Sequence, residues 1–409
     1  MRIGRTIPPA AAPLSVLDLV RGLTGMLGTG NTRKLENEIR EYFGSESVFL
    51  VSSGKAALTL ILSGLSSLRP RKKVLIPAYT CYSVPSAIVK TGLEIVLCDV
   101  DPDTLDFDYD QLESRADENT LCVVPTHLFG IPSDIDRVRR ICGSKGIFLV
   151  EDAAQSMGVA QGNRKLGTLG DVGFFSLGRG KNITCGSGGI ILTSAGEIAQ
   201  SIRKLYRELK RVPTGETLRD IAEALFMKAF LDPRLYWFPS GMPFLGIGET
   251  RFSPDFPIYR LNNFKAGLLA SWRERMEEYN HGRTMNGRSY SEELDLRKCA
   301  KIYAQDLPFL RFPVYADTPE GKSEACRRFK SSGVSPLYPR SVNRIEQLRE
   351  QFAGREYPGA ERITSTLMTL PTHGYITDSD RVRICNSIGF AHRARKKGNI
   401  SMTPNRYAG

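Results

Sequence analysis

Lys181 is a lone lysine in the glycine-rich stretch "SLGRGKNITCGSGG" (176–189). It follows Asp152, the last residue of the apolar run "GIFLVED", by 29 positions, and Ser176 by five. Taken singly, each has an ordinary use: Asp152 as a helix cap, Ser176 as a strand end, Lys181 as a solvated charge. Together they match the demands of pyridoxal phosphate. That cofactor needs a lysine amine for a Schiff base, a carboxylate to keep its pyridine nitrogen protonated, and hydrogen-bond donors for its phosphate. The turn "SSGK" (52–55), between a strand-like run and an apolar helix, offers backbone N–H groups at a helix N-terminus for that phosphate. Two other phosphate motifs fail. "VSSGKAAL" lacks the first glycine of a P-loop and has Ala56 where a hydroxyl would hold magnesium, and "CGSGG" leads into a strand rather than a helix.

The elements that must position these residues follow one rhythm from residue 48. Strand-like runs open "VFLVSSGKAALTLILSGL" (48–65) and "KKVLIPAYTCYSVPSAIVKTG" (72–92), further ones lie in 93–101, 120–130 and 146–154, helical segments alternate with them, and "DVGFFSL" and "GGIILT" add two more. Continuous Val/Ile/Leu strands between helices predict an α/β fold with a mostly parallel sheet buried on both faces. In such sheets functional residues gather at the carboxyl ends of the strands, where "SSGK", "PAYTCY", "PTHLFG" and "EDAAQ" fall. Residues 1–255 read as a large cofactor-binding domain, with an apolar insertion at about 210–250. Residues 256–409 read as a linking helix and a smaller C-terminal α+β domain. The linking helix is expected to run unbroken over 262–294, with small-domain strands near 310–315 and 364–370 and helices near 319–332 and 377–393.

The chain has 409 residues, 41% of them apolar and 24% charged. Its eight cysteines are scattered without a CxxC pair or ligand-like cluster, so neither disulfides nor a metal site is expected, and a reducing compartment fits. The N-terminus carries no signal-length apolar core with a cleavage site, which reads as cytoplasmic. A net charge of +12 raises nucleic acid as a partner, but the basic residues form short clusters without interleaved aromatics. The expectation is therefore no nucleic acid, and attraction for an anionic metabolite instead. The apolar stretch 220–247 is interrupted by Lys228, Asp232 and Arg234, too often to span a bilayer. It reads as a dimer-interface insertion or, more sharply, as a peripheral contact with the inner face of a membrane.

In the order and near-spacing of "SSGKAAL", "IPAYT", "VVPTHLFG", "VEDAAQSMG", "GTLGDVGFFSL" and "KNITCGSGGIILT", the chain resembles the DegT/DnrJ/EryC1/StrS sugar aminotransferases, fold type I pyridoxal-phosphate enzymes. "GVSPLY" (333–338) and "LPTHGYIT" (370–377) resemble the family's C-terminal landmarks. The resemblance implies that Lys181 is the Schiff-base lysine and Asp152 the partner of the pyridine nitrogen. It places Gln155 beside the ring's phenolic oxygen, and Ser176, Gly54 and Lys55 around the phosphate. Three positions depart from the pattern. Lys55 stands where threonine is usual. Cys81, followed by Tyr82, occupies the place of a ring-stacking aromatic. Ile258-Tyr259-Arg260 replaces an Asn-Tyr-Arg segment that reaches the phosphate from a neighbouring subunit, leaving Arg260 for that contact. His127 is a candidate for an additional chemical role and Arg179 for a substrate phosphate or donor carboxylate, each set against a purely structural or solvated use.

The resemblance implies transfer of an amino group from glutamate to a keto sugar, most simply a nucleotide-linked one, by a homodimer. A lipid-linked or non-sugar acceptor, a cofactor-dependent sugar dehydratase, and a non-catalytic binding protein of the same fold are the alternatives. Lys181 argues against the dehydratase, in which the resemblance expects the lysine to be replaced.

Overall fold

The computed structural model describes residues 4–28, 30–242, 250–294 and 306–387. Seven strands form the central sheet: β1 (Ser47–Val51), β2 (Lys73–Pro77), β3 (Glu94–Cys98), β4 (Thr120–Val123), β5 (Phe148–Asp152), β6 (Val172–Ser176) and β7 (Gly189–Thr193). Their order across the sheet is β1-β7-β6-β5-β4-β2-β3. β6, β5, β4, β2 and β3 pair in parallel, whereas β7 is antiparallel to both of its neighbours. The cause lies in the connection. Every parallel step needs a crossover, but the chain returns from β6 to β7 through the loop 177–188 without a helix, so β7 must run back against β6. That returning loop carries Lys181.

On the sheet lie α1 (Val16–Gly25), α2 (Asn31–Phe43), α3 (Gly54–Leu68), α4 (Ser83–Lys90), α5 (Tyr109–Arg115), α6 (Ile135–Gly143) and α7 (Gly196–Glu208). α3 is apolar on nearly every side, and Ala56, Ala57, Leu58, Leu60, Ile61, Leu62 and Leu65 are all buried, because it touches the sheet, α4 and α7 at once. Each large aliphatic side chain so buried contributes about 1.5–3 kcal/mol. The insertion forms α8 (Thr214–Phe230) and α9 (Trp237–Ser240), joined by a row of rings in which Phe230 lies 4.7 Å from Phe226 and 5.4 Å from Phe238. Its residues 243–247 lie outside the described residues. No helix among the described residues is long and apolar enough to cross a membrane.

The expected single helix over 262–294 is two, α10 (Asn263–Leu268) and α11 (Trp272–Glu293). Ser271 takes a non-helical conformation (φ −114°, ψ 40°), and the Trp272 indole N–H donates to Glu38 Oε2 at 3.1 Å. α10 follows α1, α11 follows the core, and the backbone bends between them. The C-terminal part pairs β8 (Arg311–Tyr315) with β9 (Leu367–Pro371), antiparallel. It is completed by α12 (Pro319–Arg328), α13 (Pro358–Thr366) and α14 (Asp378–Ser387). Residues 388–393 of the last expected helix lie outside the described residues. Phe309, Phe312 and Val314 belong to the same apolar cluster as the sheet strands, so the core runs continuously from the sheet into the C-terminal part.

Candidate functional site

A cavity of about 180 Å³ opens at the carboxyl ends of β5 and β6, against the N-terminus of α3. Gly54, Lys55, Cys81, Asp152, Gln155, Ser176 and Lys181 all line it. The structure thus gathers seven of the residues singled out from sequence, although they span the chain from 54 to 181.

One wall is built for an anion. Ser53 is extended (φ −164°, ψ 164°) and its hydroxyl accepts from the Ala56 N–H at 3.1 Å, which starts α3 and leaves the Gly54 and Lys55 N–H groups without a partner among the described residues. Ser176, at the end of β6, stands beside them. A Cβ on Gly54 would fall 2.9 Å from the Ser176 Cβ and 3.1 Å from its Oγ, so only glycine lets the helix terminus and the serine share this corner. The Lys55 ammonium lies 4.2 Å from the centre of the Phe256 ring, and burial holds its pKa below the usual lysine range. Two backbone N–H groups, a hydroxyl and a cation around one corner suit a phosphate.

The opposite wall brings a carboxylate and an amine together. The parallel register sets Asp152 beside Phe174, two positions before Ser176. Asp152 is 4% exposed; its Oδ1 accepts from the Ala154 N–H at 3.0 Å, and Oδ2 has no hydrogen bond among the described residues. Burial raises its pKa, opposed by the Ala154 N–H, Lys181 and His127. Lys181 follows Gly180, whose positive φ (69°) makes the turn, and no hydrogen bond or ion pair engages its amine among the described residues. Burial holds its pKa below the ordinary lysine value; Cys81 and Asp152 act against that, and Arg311 adds to it. A desolvated amine facing a desolvated carboxylate across a cavity with a phosphate corner fits pyridoxal phosphate.

The remaining sequence candidates lie elsewhere. Tyr82 points away from the cavity, donating its hydroxyl to the Arg340 carbonyl at 2.9 Å, so Cys81 alone of that pair faces the site. His127 is fully buried. Its Nδ1 accepts from the Ser133 N–H at 3.1 Å, which leaves Nε2 to donate to Glu151 Oε2 at 2.9 Å, so both ring nitrogens are engaged in structure. Arg179 turns outward to Glu223 on α8 (3.3 Å). Arg260 turns back onto its own chain, donating to the Tyr206 and Arg207 carbonyls at the C-terminus of α7 (3.1 and 2.7 Å).

Two arginines that sequence reasoning missed shape the site. Arg283 of α11 is 1% exposed and donates to the carbonyls of Lys181 (3.1 Å), Asn182 (3.0 Å) and Ala11 (3.2 Å) and to Asn280 Oδ1 (3.0 Å). Asn182 in turn donates to Asn280 Oδ1 at 3.1 Å and accepts from the Met157 N–H at 3.3 Å. This network pins the lysine loop to α11 and to the N-terminal segment. Arg311, at the start of β8, donates to Ser335 Oγ at 3.2 Å, and no carboxylate pairs with it among the described residues. Burial pushes its pKa down, an unusual position for a guanidinium that lies within electrostatic reach of Lys181, Tyr338 and Tyr236. Tyr338 accepts from Gln155 Nε2 at 2.9 Å, which ties the cavity wall to this arginine's surroundings. Only the adjacency of Asn182 to Lys181 was visible in the sequence; the arginines lie more than 100 positions away.

The sequence profile of the DegT/DnrJ/EryC1/StrS aminotransferase family matches residues 16–229, more than half of the chain. The protein belongs to this family. An uncharacterized protein of Methanocaldococcus jannaschii is 32% identical over 174 residues, 42% of this chain and 45% of that relative, so the match spans less than half of the relative's length. Among solved structures, the sugar aminotransferase CalS13 from Micromonospora echinospora superposes with a TM-score of 0.73 at 22% identity, over 93% of this chain and 99% of that one. A putative sugar aminotransferase from Streptococcus pneumoniae in its PLP-form superposes with a TM-score of 0.70 at 19% identity, over 94% and 97%. At these identities the likeness is one of fold: the α/β architecture of the family extends through the C-terminal part, beyond the residues that the profile matches.

Proposed function

We propose that the protein is a pyridoxal-phosphate-dependent aminotransferase that transfers the amino group of glutamate to a keto sugar, the sugar being nucleotide-linked. The observation that carries this reading is the pairing of a desolvated Lys181 amine with a desolvated Asp152 carboxylate across a cavity whose other corner is made of free N–H and O–H donors. The pneumococcal structure in its PLP-form supports the cofactor.

Bound there, pyridoxal phosphate supplies an electron sink for the substrate's α-carbon. Ser176, the Gly54 and Lys55 N–H groups and the Lys55 ammonium would hold its phosphate, and Asp152 the pyridine nitrogen. Lys181 Nζ is the group that takes a proton from the donor's α-carbon and returns one to the acceptor. Its lowered pKa keeps a larger fraction of the amine uncharged near neutral pH than an exposed lysine would have, which a base requires. Arg283 holds that amine's backbone in place from behind. Arg311 is the cation placed to orient the donor's carboxylate, since a buried guanidinium without a protein carboxylate needs an external one. A homodimer is part of the proposal. α1 leaves Val16, Leu17, Val20 and Leu23 exposed along one face, and α8 exposes Leu218 and Leu225, an apolar surface suited to a second copy.

The test is spectroscopic. Purified protein is expected to be yellow with pyridoxal phosphate, and L-glutamate is expected to shift the band towards the near-ultraviolet. Arg311→Gln is expected to need about tenfold more glutamate for the same shift, the loss of one charge-assisted contact. A protein that stays colourless with the cofactor, or yellow and indifferent to glutamate, would sink the reading.

A further inference from the structure

We infer that Asp220, on the inserted helix α8, and Lys265, on α10, are positioning residues for Lys181: together they hold the far end of the loop that carries it. The inference rests on the reading of Lys181 as the proton carrier and adds to it a role for the insertion.

The loop 177–188 is gripped at two places. Arg283 holds its middle, at the Lys181 and Asn182 carbonyls. Six residues after Lys181, the Ser187 hydroxyl accepts from Lys265 Nζ at 2.8 Å. The same ammonium lies 2.7 Å from Asp220 Oδ1, and the two side chains are only 6% and 10% exposed. Asp220 Oδ2 accepts from Asn262 Nδ2 at 2.8 Å, and Asn262 Oδ1, as the N-cap of α10, accepts from the Lys265 N–H at 2.9 Å. Both carboxylate oxygens are thus used, and the ring of contacts closes through α10 itself. α8 meets the loop along one stripe, since Asp220, Glu223, Ala224 and Met227 recur at the i, i+3, i+4, i+7 spacing of a single helix face. Ala224 packs in the apolar cluster that contains Leu177, Ile183 and Cys185 of the loop, and Glu223 reaches Arg179 at 3.3 Å.

Energetics separates positioning from stability. The attraction between a buried lysine and a buried aspartate about offsets the cost of withdrawing both from water, and an apolar pair of similar size folds as well. An apolar pair, however, has no directional bond to offer a hydroxyl. The charged pair does, and it fixes where Ser187 stands and so the path of the backbone between Ser187 and the Arg283 contact. Lys181 Nζ depends on that path, because a displacement of about 1 Å at a reacting group costs on the order of 100-fold in rate. The Arg179–Glu223 pair, 56% and 25% exposed, is screened by water and adds little.

Two measurements test the assignment, one of them without cofactor. Ser187→Ala removes only the held hydroxyl, Ser187→Thr keeps it, and Asp220→Leu/Lys265→Met replaces the ion pair by apolar side chains. In cofactor-free protein, the Cys185 and Gly186 amides, which donate to the Leu177 carbonyl (3.2 Å) and Thr184 Oγ1 (3.0 Å), are expected to exchange their hydrogens about tenfold faster in Ser187→Ala and in the double variant. Urea midpoints are expected to stay at the wild-type value. In the holoprotein, the glutamate-induced spectral change is expected to slow about 100-fold in the double variant and about tenfold in Ser187→Ala, at an unchanged half-saturating glutamate concentration. Ser187→Thr is expected to keep the wild-type rate. Wild-type exchange or wild-type rates in both variants, a loss that appears as weaker saturation by glutamate, or a loss that follows a fallen urea midpoint would each overturn the assignment. A wild-type holoprotein indifferent to glutamate counts against the aminotransferase reading, whereas unchanged exchange in the variants counts against the hold on the loop alone.

Discussion

Two cationic regions lie on either side of the "AYTCY" backbone, and they are built in opposite ways. Around Lys181 the charges are few, buried and displaced from their ordinary pKa values: Lys181 and Arg311 downward, Asp152 upward. Around Arg340, Arg349 and Arg355 the charges are many and exposed. Desolvation moves a proton equilibrium and suits a site that passes protons. Exposed guanidinium groups leave their neighbours' charges screened by water and carry no such displacement to the sheet edge. Burial, rather than the number of charges, separates the two regions.

Lys181→Ala sharpens the contrast most. Removal of the amine proposed to carry a proton to and from the α-carbon is expected to lower transamination by about 10⁴-fold. Visible absorbance spectra are expected to lose the covalently bound cofactor while the protein still folds, because the Lys181 side chain makes no hydrogen bond among the described residues and its backbone bonds survive the substitution. A variant retaining a tenth of the activity would show that the buried amine is not the base.

The next effect is on stability. Arg283→Met removes the donor to three carbonyls and one side-chain oxygen in a dry region, and is expected to cost about 3–5 kcal/mol in urea denaturation. Arg349→Gln, on the exposed side of the comparison, is expected to stay within about 0.5 kcal/mol. Equal effects of the two would erase the distinction between the regions.

A further effect is set by pH. His373 is 3% exposed, and its Nε2 donates to the Pro8 carbonyl at 2.8 Å. Burial first, with Arg283, Arg311 and Arg5 acting in the same direction, pushes its pKa down to about 4 from an ordinary 6.5. The unfolded chain therefore binds more protons between these values. The stability difference is absent above pH 6.5, grows as the pH falls, and is complete below about 4, where it amounts to about 3 kcal/mol. Urea midpoints at pH 7 and 4.5 are expected to differ more in the wild type than in His373→Gln; equal pH dependence in both would contradict this.

Much of this could be read along the chain. Strands of continuous Val, Ile and Leu announce a sheet covered on both faces, and "SSGK", "EDAAQ" and the glycines around Lys181 mark strand ends, because local sequence dictates where a strand stops and a helix starts. The direction of β7 and the break at Ser271 were not legible in the same way. Each depends on what the segment packs against, as with the Trp272 indole held by Glu38. His127 and Arg260 show the same limit from the other side: their side chains are suited to catalysis or phosphate binding, yet neighbours from distant segments engage them structurally.

The sequence by itself determined the α/β architecture and which residues, Lys181 and Asp152 among them, reach the carboxyl edge of the sheet, because strand and turn signals are local. Only the tertiary structure decided how those residues behave. Arg283 and Arg311 lie more than 100 positions from Lys181, and the hydrogen bonds of the one and the field of the other act through space across distances the chain order does not record.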